Sequence, residues 1–275
     1  MLHARYLIGV DSDGTAFDSM NLKHLAAFIP AALKVWPMRE EVSARFAEIE
    51  KKVNLFSATR GINRFPGLLD AFEQLEREFP EDPQLPPLED LHAYIAGEKT
   101  YSPASLTRWI ESHPSAELEK VLDWSARANR LFTAACEGLR PFDGVKEALA
   151  EAHRSAAVAV VSSAAKGGLE KDWAAGGLTS SVDLLMSQED GSKTAQLLKA
   201  KEQSAPDALV LMLGDTDSDG IAAHEAGALF FPIMPGDEPA SWKQFREEIL
   251  PLFLAGKYDR EEEEKHYRKL RKMLL

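Results

Sequence analysis

Three aspartates crowd one short stretch of the chain, IGVDSDGTAFDSM (8–20), at Asp11, Asp13 and Asp18. Carboxylates this close repel one another, and in a low-dielectric pocket they stay ionised together only when a cation compensates them. Further along, GDTDSD (214–219) adds Asp215 and Asp219, VVSS (160–163) adds Ser162 and Ser163, and GSKTAQLL adds Lys193. Oxygen donors from Asp11, Asp13 and Asp215 suit Mg2+, which takes one or two carboxylates, waters and substrate phosphate. The metal would offset the repulsion, and the positive field left over would draw in a phosphate. Asp18 stands apart from this set and reads as a cap for the helix that follows it.

Such residues need a scaffold that gathers them. Apolar runs at 6–10, 157–161, 183–186, 208–213 and 229–233 have strand length, and helical patterns at 144–154, 192–202 and 219–226 lie between them. Fully apolar strands alternating with amphipathic helices predict an α/β fold with a parallel sheet covered on both faces. Ligands bind at the carboxyl ends of the strands in such sheets, which is where the polar motifs stand. Residues 16–138 carry no such strands. They read as helices at 19–35, 39–54, 62–79, 87–97, 102–112 and 116–136, with PEDPQLPP (80–87) as a loop. An all-helical domain, 16–138, is therefore expected as an insertion in an α/β core of residues 1–15 and 139–275. The tail YDREEEEKHYRKLRKMLL repeats Glu four residues before Lys or Arg, which predicts an exposed helix with a solvated charged face.

Composition narrows the function classes. A net charge of −12 argues against nucleic acid or an anionic membrane as a partner, though not against a small anionic substrate held by a local lysine and a metal. No apolar run approaches the length of a membrane span, and MLHARYLIGVD has too short an apolar stretch for a signal peptide. A single cysteine, Cys136, excludes an internal disulfide, fits a reducing cytoplasm and reads as a small buried hydrophobe within a helix. The seven histidines, at 3, 24, 92, 113, 153, 224 and 266, show no metal-pair spacing and read as surface or helix-face residues. There is no CxxC, GxSxG or Walker loop.

Taken in order, DSDGT at 11–15, VVSS at 160–163, Lys193 and GDTDSD at 214–219 resemble the haloacid dehalogenase-like (HAD) superfamily of aspartate-nucleophile phosphohydrolases. The resemblance covers residues 1–18 and about 139–233. It implies a Rossmann-like core with helices on both faces and a helical cap inserted after the first motif. Asp11 would be the nucleophile that forms an aspartyl-phosphate. Asp13 would be the general acid and base, and through its carbonyl a metal ligand. Ser162, with the amide of Ser163, would bind the phosphoryl oxygens; Thr15, bracing the tight turn, joins this phosphate-binding set. Lys193 would neutralise charge on the phosphate and on Asp11, while Lys166 opens the next helix. Asp215 would bind Mg2+, with Asp219 a ligand directly or through water.

The activity so implied is Mg2+-dependent hydrolysis of a small phosphorylated metabolite in the cytoplasm. A sugar phosphomutase uses the same chemistry, and a non-catalytic phosphometabolite-binding protein would keep the fold without it. Thr15 leans toward hydrolysis, and Asp13 counts against the phosphonate-cleaving and dehalogenase relatives, which lack it. Within the insertion, NLFSATRGINRFPGLLDAF (54–72) crowds Ser57, Thr59, Arg60, Asn63 and Arg64 around Gly61. Arg60 or Arg64 could grip a distal part of the substrate, because guanidinium forks suit carboxylate or phosphate. The alternative is that Thr59 and Asn63 cap helices while the arginines pair with acids such as Glu50 or Glu73. Trp36, Trp109 and Trp124 read as core of the insertion.

Overall fold

The computed structural model describes residues 4–275, so His3 lies outside the described residues. The chain divides into two compact units, Met1–Ser19 with Gly138–Leu275, and Met20–Glu137. No helix among the described residues is long and apolar enough to cross a membrane.

The first unit is built on five strands: β1 (Tyr6–Val10), β2 (Ala157–Val161), β3 (Leu184–Met186), β4 (Leu209–Gly214) and β5 (Leu229–Pro232). They lie in the order β3-β2-β1-β4-β5, and every pairing is parallel. This is the expected α/β architecture, with β1 at its centre: Ile8 pairs with Val158 on one side and Leu211 on the other. Alternate side chains of a strand point to opposite faces. Ile8, Val10, Val158, Val160, Leu211 and Leu213 accordingly pack with Trp173 and Trp242 in one cluster. Leu7, Ala157, Ala159, Val210 and Met212 pack with Leu197 and Tyr267 in another. A sheet that is apolar on both faces has to be covered on both by helices.

The outer edge of β5 is closed by side chains rather than by another strand. The Phe230 N–H donates to Glu263 Oε2 at 3.0 Å and its carbonyl accepts the Tyr258 hydroxyl at 2.8 Å. Two residues on, Pro232 has no N–H to offer. These contacts correct the reading of the tail as a solvated helix. The helix Arg260–Leu274 forms, but Glu263, Tyr267, Leu270 and Leu274 are buried along one face. The Glu–Lys and Glu–Arg pairs occupy its remaining surface.

The second unit is helical throughout its regular structure. A π-helix, Leu22–Phe28, runs into the helix Ile29–Val35 and is followed by Glu40–Leu55, Arg64–Glu78, Glu89–Gly97, Pro103–Ser112 and Ala116–Ala135. Phe28, Trp36, Phe46, Phe65, Phe72 and Trp124 form its centre, with Trp109 packed against them. Two expectations fail here. His24 is buried in the π-helix, with Nδ1 2.7 Å from Glu50 Oε1, because that carboxylate gives the ring a polar partner inside the core. Cys136 is half-buried and stands at the C-cap of Ala116–Ala135 rather than within a helix.

Candidate active site

β1 delivers Asp11 to its carboxyl end, where the Asp11 N–H donates to the Leu213 carbonyl of β4 at 2.9 Å. The chain then turns sharply: the amides of Ala16 and Phe17 both donate to the Ser12 carbonyl at 3.0 Å, and the Gly14 amide donates to Phe17 O at 2.9 Å. Gly14 sits at φ 79°, the left-handed region where a side chain would be strained. Two buried indoles pin this turn. Trp173 Nε1 donates to Ser12 Oγ at 3.0 Å, and Trp242 Nε1 donates to the Thr15 carbonyl at 2.8 Å. Asp13, half-buried, accepts the Ser19 hydroxyl at 2.5 Å.

β4 ends at Gly214 and presents Asp215, which is fully buried. Its Oδ1 accepts the Thr15 hydroxyl at 2.7 Å. Thr15 is also fully buried, so the structure spends its hydroxyl proton on a carboxylate rather than leaving it for a phosphate. Asp219 is drawn into the same region by a capping box. Thr216, the N-cap of the helix Asp217–Glu225, brings its amide to Asp219 Oδ2 at 3.1 Å and its hydroxyl to the same oxygen at 2.7 Å. Asp219 Oδ1 accepts the Lys193 ammonium at 2.6 Å. Asp219 thereby ties Lys193 to the loop, one oxygen on each.

Lys193 opens the helix Lys193–Glu202 and reaches between two carboxylates, with Nζ 2.8 Å from Asp11 Oδ1 as well as 2.6 Å from Asp219 Oδ1. Burial works against its charge, but Asp11 and Asp219 outweigh that and hold its pKa above the ordinary lysine value. Asp11 shows the reverse balance. Burial pushes its carboxyl well above the usual carboxylate range, Lys193 opposes the push, and Asp219 and Asp215 add to it. Lys193 thus pairs with two buried carboxylates, and one oxygen of each of Asp11, Asp215 and Asp219 lies within 4.8 Å of the others. A cluster of hard oxygen donors fits a divalent cation such as Mg2+. Asp172, half-buried next to Trp173, also has its carboxyl raised, by burial first and by the charge of Asp13 second.

The end of β2 is held by a residue that pattern reading passes over. Gln196 is fully buried. Its Oε1 accepts the Ser162 amide at 2.9 Å, and its Nε2 lies within hydrogen-bond distance of the carbonyls of Ser162, Ser187 and Gly191, at 2.9, 2.8 and 2.9 Å. Gln196 lies three residues after Lys193, one helical turn along the same face, and that spacing was the available signal. Ser162 is buried, with Oγ accepting the Ala164 amide at 3.1 Å, whereas Ser163 is exposed. Lys166 opens the helix Lys166–Ala175.

In the helical unit, Asn63 caps the helix Arg64–Glu78 by accepting the Phe65 amide, and Thr59 Oγ1 donates to Val53 O at 2.7 Å. Arg60 is buried, with Nη1 donating to Leu55 O at 2.7 Å. Arg64 Nη1 donates to Asn129 Oδ1 at 2.7 Å and Ser125 Oγ at 3.0 Å, and the guanidinium lies 4.8 Å from the centre of the Phe28 ring. Glu50 is taken by His24, and Glu73 lies against Arg77 and His92.

The profile of the family described as Haloacid dehalogenase-like hydrolase matches residues 62–233, more than half of the chain. No curated protein matches. Among solved structures, a predicted phosphoglycolate phosphatase from Haemophilus somnus 129PT is similar at 17% identity and TM-score 0.52, over 86% of this chain and 87% of that one. An HAD family hydrolase from Deinococcus radiodurans R1, with bound phosphate and sodium, is similar at 16% identity and TM-score 0.51, over 94% and 97%. L-2-haloacid dehalogenase from Xanthobacter autotrophicus matches at 16% identity and TM-score 0.41, over 85% and 78%. At such identities the first two likenesses are of fold alone. From the extent of the profile match, with that fold and a strand-end aspartate cluster beside it, the chain belongs to the haloacid dehalogenase-like hydrolase family.

Proposed function

We propose that the protein is a Mg2+-dependent phosphomonoester hydrolase of a small phosphorylated metabolite in the cytoplasm, working through Asp11. The observation that carries this reading is Lys193 lying between Asp11 and Asp219 at strand and helix ends where carboxylate oxygens of Asp11, Asp215 and Asp219 converge within 4.8 Å. Such a cluster favours a divalent cation and then an anionic substrate. Asp11 and Asp215 would hold the metal, with the carbonyl of Asp13; a bound Mg2+ supplies positive charge against the phosphoryl oxygens. Asp215 is kept in place by Thr15.

The chain's own residues then divide the work. A carboxylate oxygen of Asp11 attacks phosphorus, the phosphorus–ester oxygen bond breaks, and Asp13 gives its proton to the leaving oxygen. In the second half a water attacks phosphorus, Asp13 takes the proton back, and the Asp11 carboxylate is released with inorganic phosphate. Lys193 offsets charge on Asp11 and on the phosphoryl group, and Ser162 with the amide of Ser163 donates to its oxygens. Asp13 also favours ester hydrolysis over dehalogenation, which needs no acid for a leaving halide. Arg64, held only by neutral acceptors among the described residues, suits recognition of a second anionic group on the substrate.

A panel of phosphorylated metabolites, read by free phosphate with MgCl2 and with EDTA, tests the proposal. Halide release from 2-haloacids and isomerisation of sugar phosphates are followed beside it. Phosphate released in MgCl2 and lost in EDTA is the expected result. Halide release without phosphate release would overturn the reading, and isomerisation without phosphate release would replace it with the mutase.

A further inference from the structure

The C-terminal helix Arg260–Leu274 lies along the helix that begins within the GDTDSD motif, Asp217–Glu225, and grips it at three points. Glu263, Tyr267 and Arg271 are spaced by four, which places them in one line on a helix face. Their partners run in the reverse order. The Glu263 carboxylate takes His224 Nε2. Tyr267, fully buried, packs against Gly220, where a Cβ would lie 2.3 Å from its hydroxyl oxygen; only glycine admits the ring. The Tyr267 hydroxyl lies 2.6 Å from Asp217 Oδ1, to which it donates, and 3.0 Å from the Asp217 carbonyl. Arg271 Nε donates to the same Oδ1 at 3.1 Å, and its guanidinium stacks 3.8 Å from the centre of the Tyr267 ring.

Asp217 is the middle of the three residues between the two buried carboxylates of the motif, Asp215 and Asp219. Tyr267 reaches its main chain as well as its side chain, so this clamp acts on the path of the loop itself. The geometry points to Tyr267 and Arg271 as positioning residues that hold the Gly214–Asp219 loop in its ligand-ready shape and so set the affinity of the site for a divalent cation. Neither touches the reacting atoms. A loop already held in place loses less conformational freedom on binding a metal, and partners outside the ligand shell commonly change metal affinity ten- to a hundredfold. This inference rests on the reading of Asp11 and Asp215 as metal ligands.

Charge and positioning predict opposite signs here. Removing Arg271 makes the region more negative, which by charge alone would tighten cation binding; loss of positioning weakens it. Tyr267→Phe removes the hydroxyl without changing any formal charge at neutral pH. The test is calorimetric titration of the whole chain with MgCl2 alone, for wild type, Tyr267→Phe and Arg271→Gln, beside the Tm of each in EDTA. Arg271 is half-exposed, so Arg271→Gln keeps the test available should the buried variant misfold. The expected result is an Mg2+ Kd raised about tenfold in both variants, with the titration done below their Tm. A merely structural role lowers Tm and leaves Kd at the wild-type value, and that outcome overturns the inference, as does tighter binding by Arg271→Gln. A wild-type chain that binds no Mg2+ would bring down the metal reading and this inference with it.

Discussion

The hydroxyl of Thr15 donates to Oδ1 of Asp215 at 2.7 Å, across 200 residues of sequence, and so ties the turn after β1 to the end of β4. Both residues are fully buried. Thr15→Val keeps the shape and removes the donor, so a buried hydrogen bond to a carboxylate is lost, at a cost of about 1.5–3 kcal/mol. Urea unfolding in EDTA should show that loss. Unchanged stability would mean that the bond contributes nothing to the fold.

Gln196 should matter to both stability and turnover. Gln196→Leu takes the amide donor away from the carbonyls of Ser162, Ser187 and Gly191, while the Ser162 N–H keeps the Met186 carbonyl at 3.2 Å. The Ser187 carbonyl keeps the Asp190 amide at 2.9 Å and Gly191 is exposed, so the cost falls on the buried Ser162 carbonyl, about 1–3 kcal/mol. Denaturant unfolding should register a loss of at least that size, and kcat/KM for a phosphomonoester should fall as Ser162 loses its brace. Wild-type values of both would remove Gln196 from the site's support.

These two residues mark the limit of what could be read from sequence. Asp11, Ser162, Lys193, Asp215 and Asp219 stood out because polar residues directly after apolar strands, or at a helix start, have no packing reason to be there. Gln196 and the indoles of Trp173 and Trp242 sit inside ordinary helical patterns, where Gln reads as solvent-facing and Trp as core. Their hydrogen bonds depend on which helices the sheet brings together. Thr15 stands in the DSDGT motif, whereas the partner of its hydroxyl comes from the end of another strand. In the tail, the repeated charges drew attention from Glu263, Tyr267, Leu270 and Leu274, whose spacing marks a buried face. The π-helix Leu22–Phe28 follows the same apolar pattern as an α-helix and is invisible at that level.

His266 gives the unit that carries the sheet a pH dependence of definite sign. Burial first, and Lys269 second, lower its pKa, against weaker opposition from Glu262 and Glu248, while Lys265 adds to the lowering. The folded state therefore binds fewer protons than the unfolded chain at this residue. Its contribution to stability is fully present above the unfolded value of about 6.5 and is lost as pH falls through the folded value. His266→Phe keeps a ring against Phe231, whose centre lies 5.1 Å away, and removes the titration. Tm should then fall less steeply with acidification below pH ~6.5 in the variant than in wild type. Parallel curves would show that His266 does not titrate differently on unfolding.

Arg64 separates recognition from chemistry. If it grips a distal anion of the substrate, Arg64→Ala removes a charge-assisted contact of about 1.5–3 kcal/mol, or roughly a ten- to two-hundredfold loss in kcat/KM. p-Nitrophenyl phosphate, which offers no distal anion, should be hydrolysed nearly as before. Equal losses on both substrates, with an altered circular dichroism spectrum, would assign the arginine to the packing of its own unit, where it already holds Asn129 and covers Phe28.

The central claim is that Asp11 carries the phosphoryl group. The most direct measurement is acid quenching of the protein during turnover of p-nitrophenyl phosphate bearing a radiolabelled phosphoryl group, followed by peptide mapping. With MgCl2, label should appear on the peptide containing Asp11; with EDTA, or in Asp11→Asn, it should be absent. Asp13→Asn should slow both chemical steps about 10²–10⁴-fold. Label that persists in Asp11→Asn, or phosphate released with no labelled protein at any time, would contradict the account.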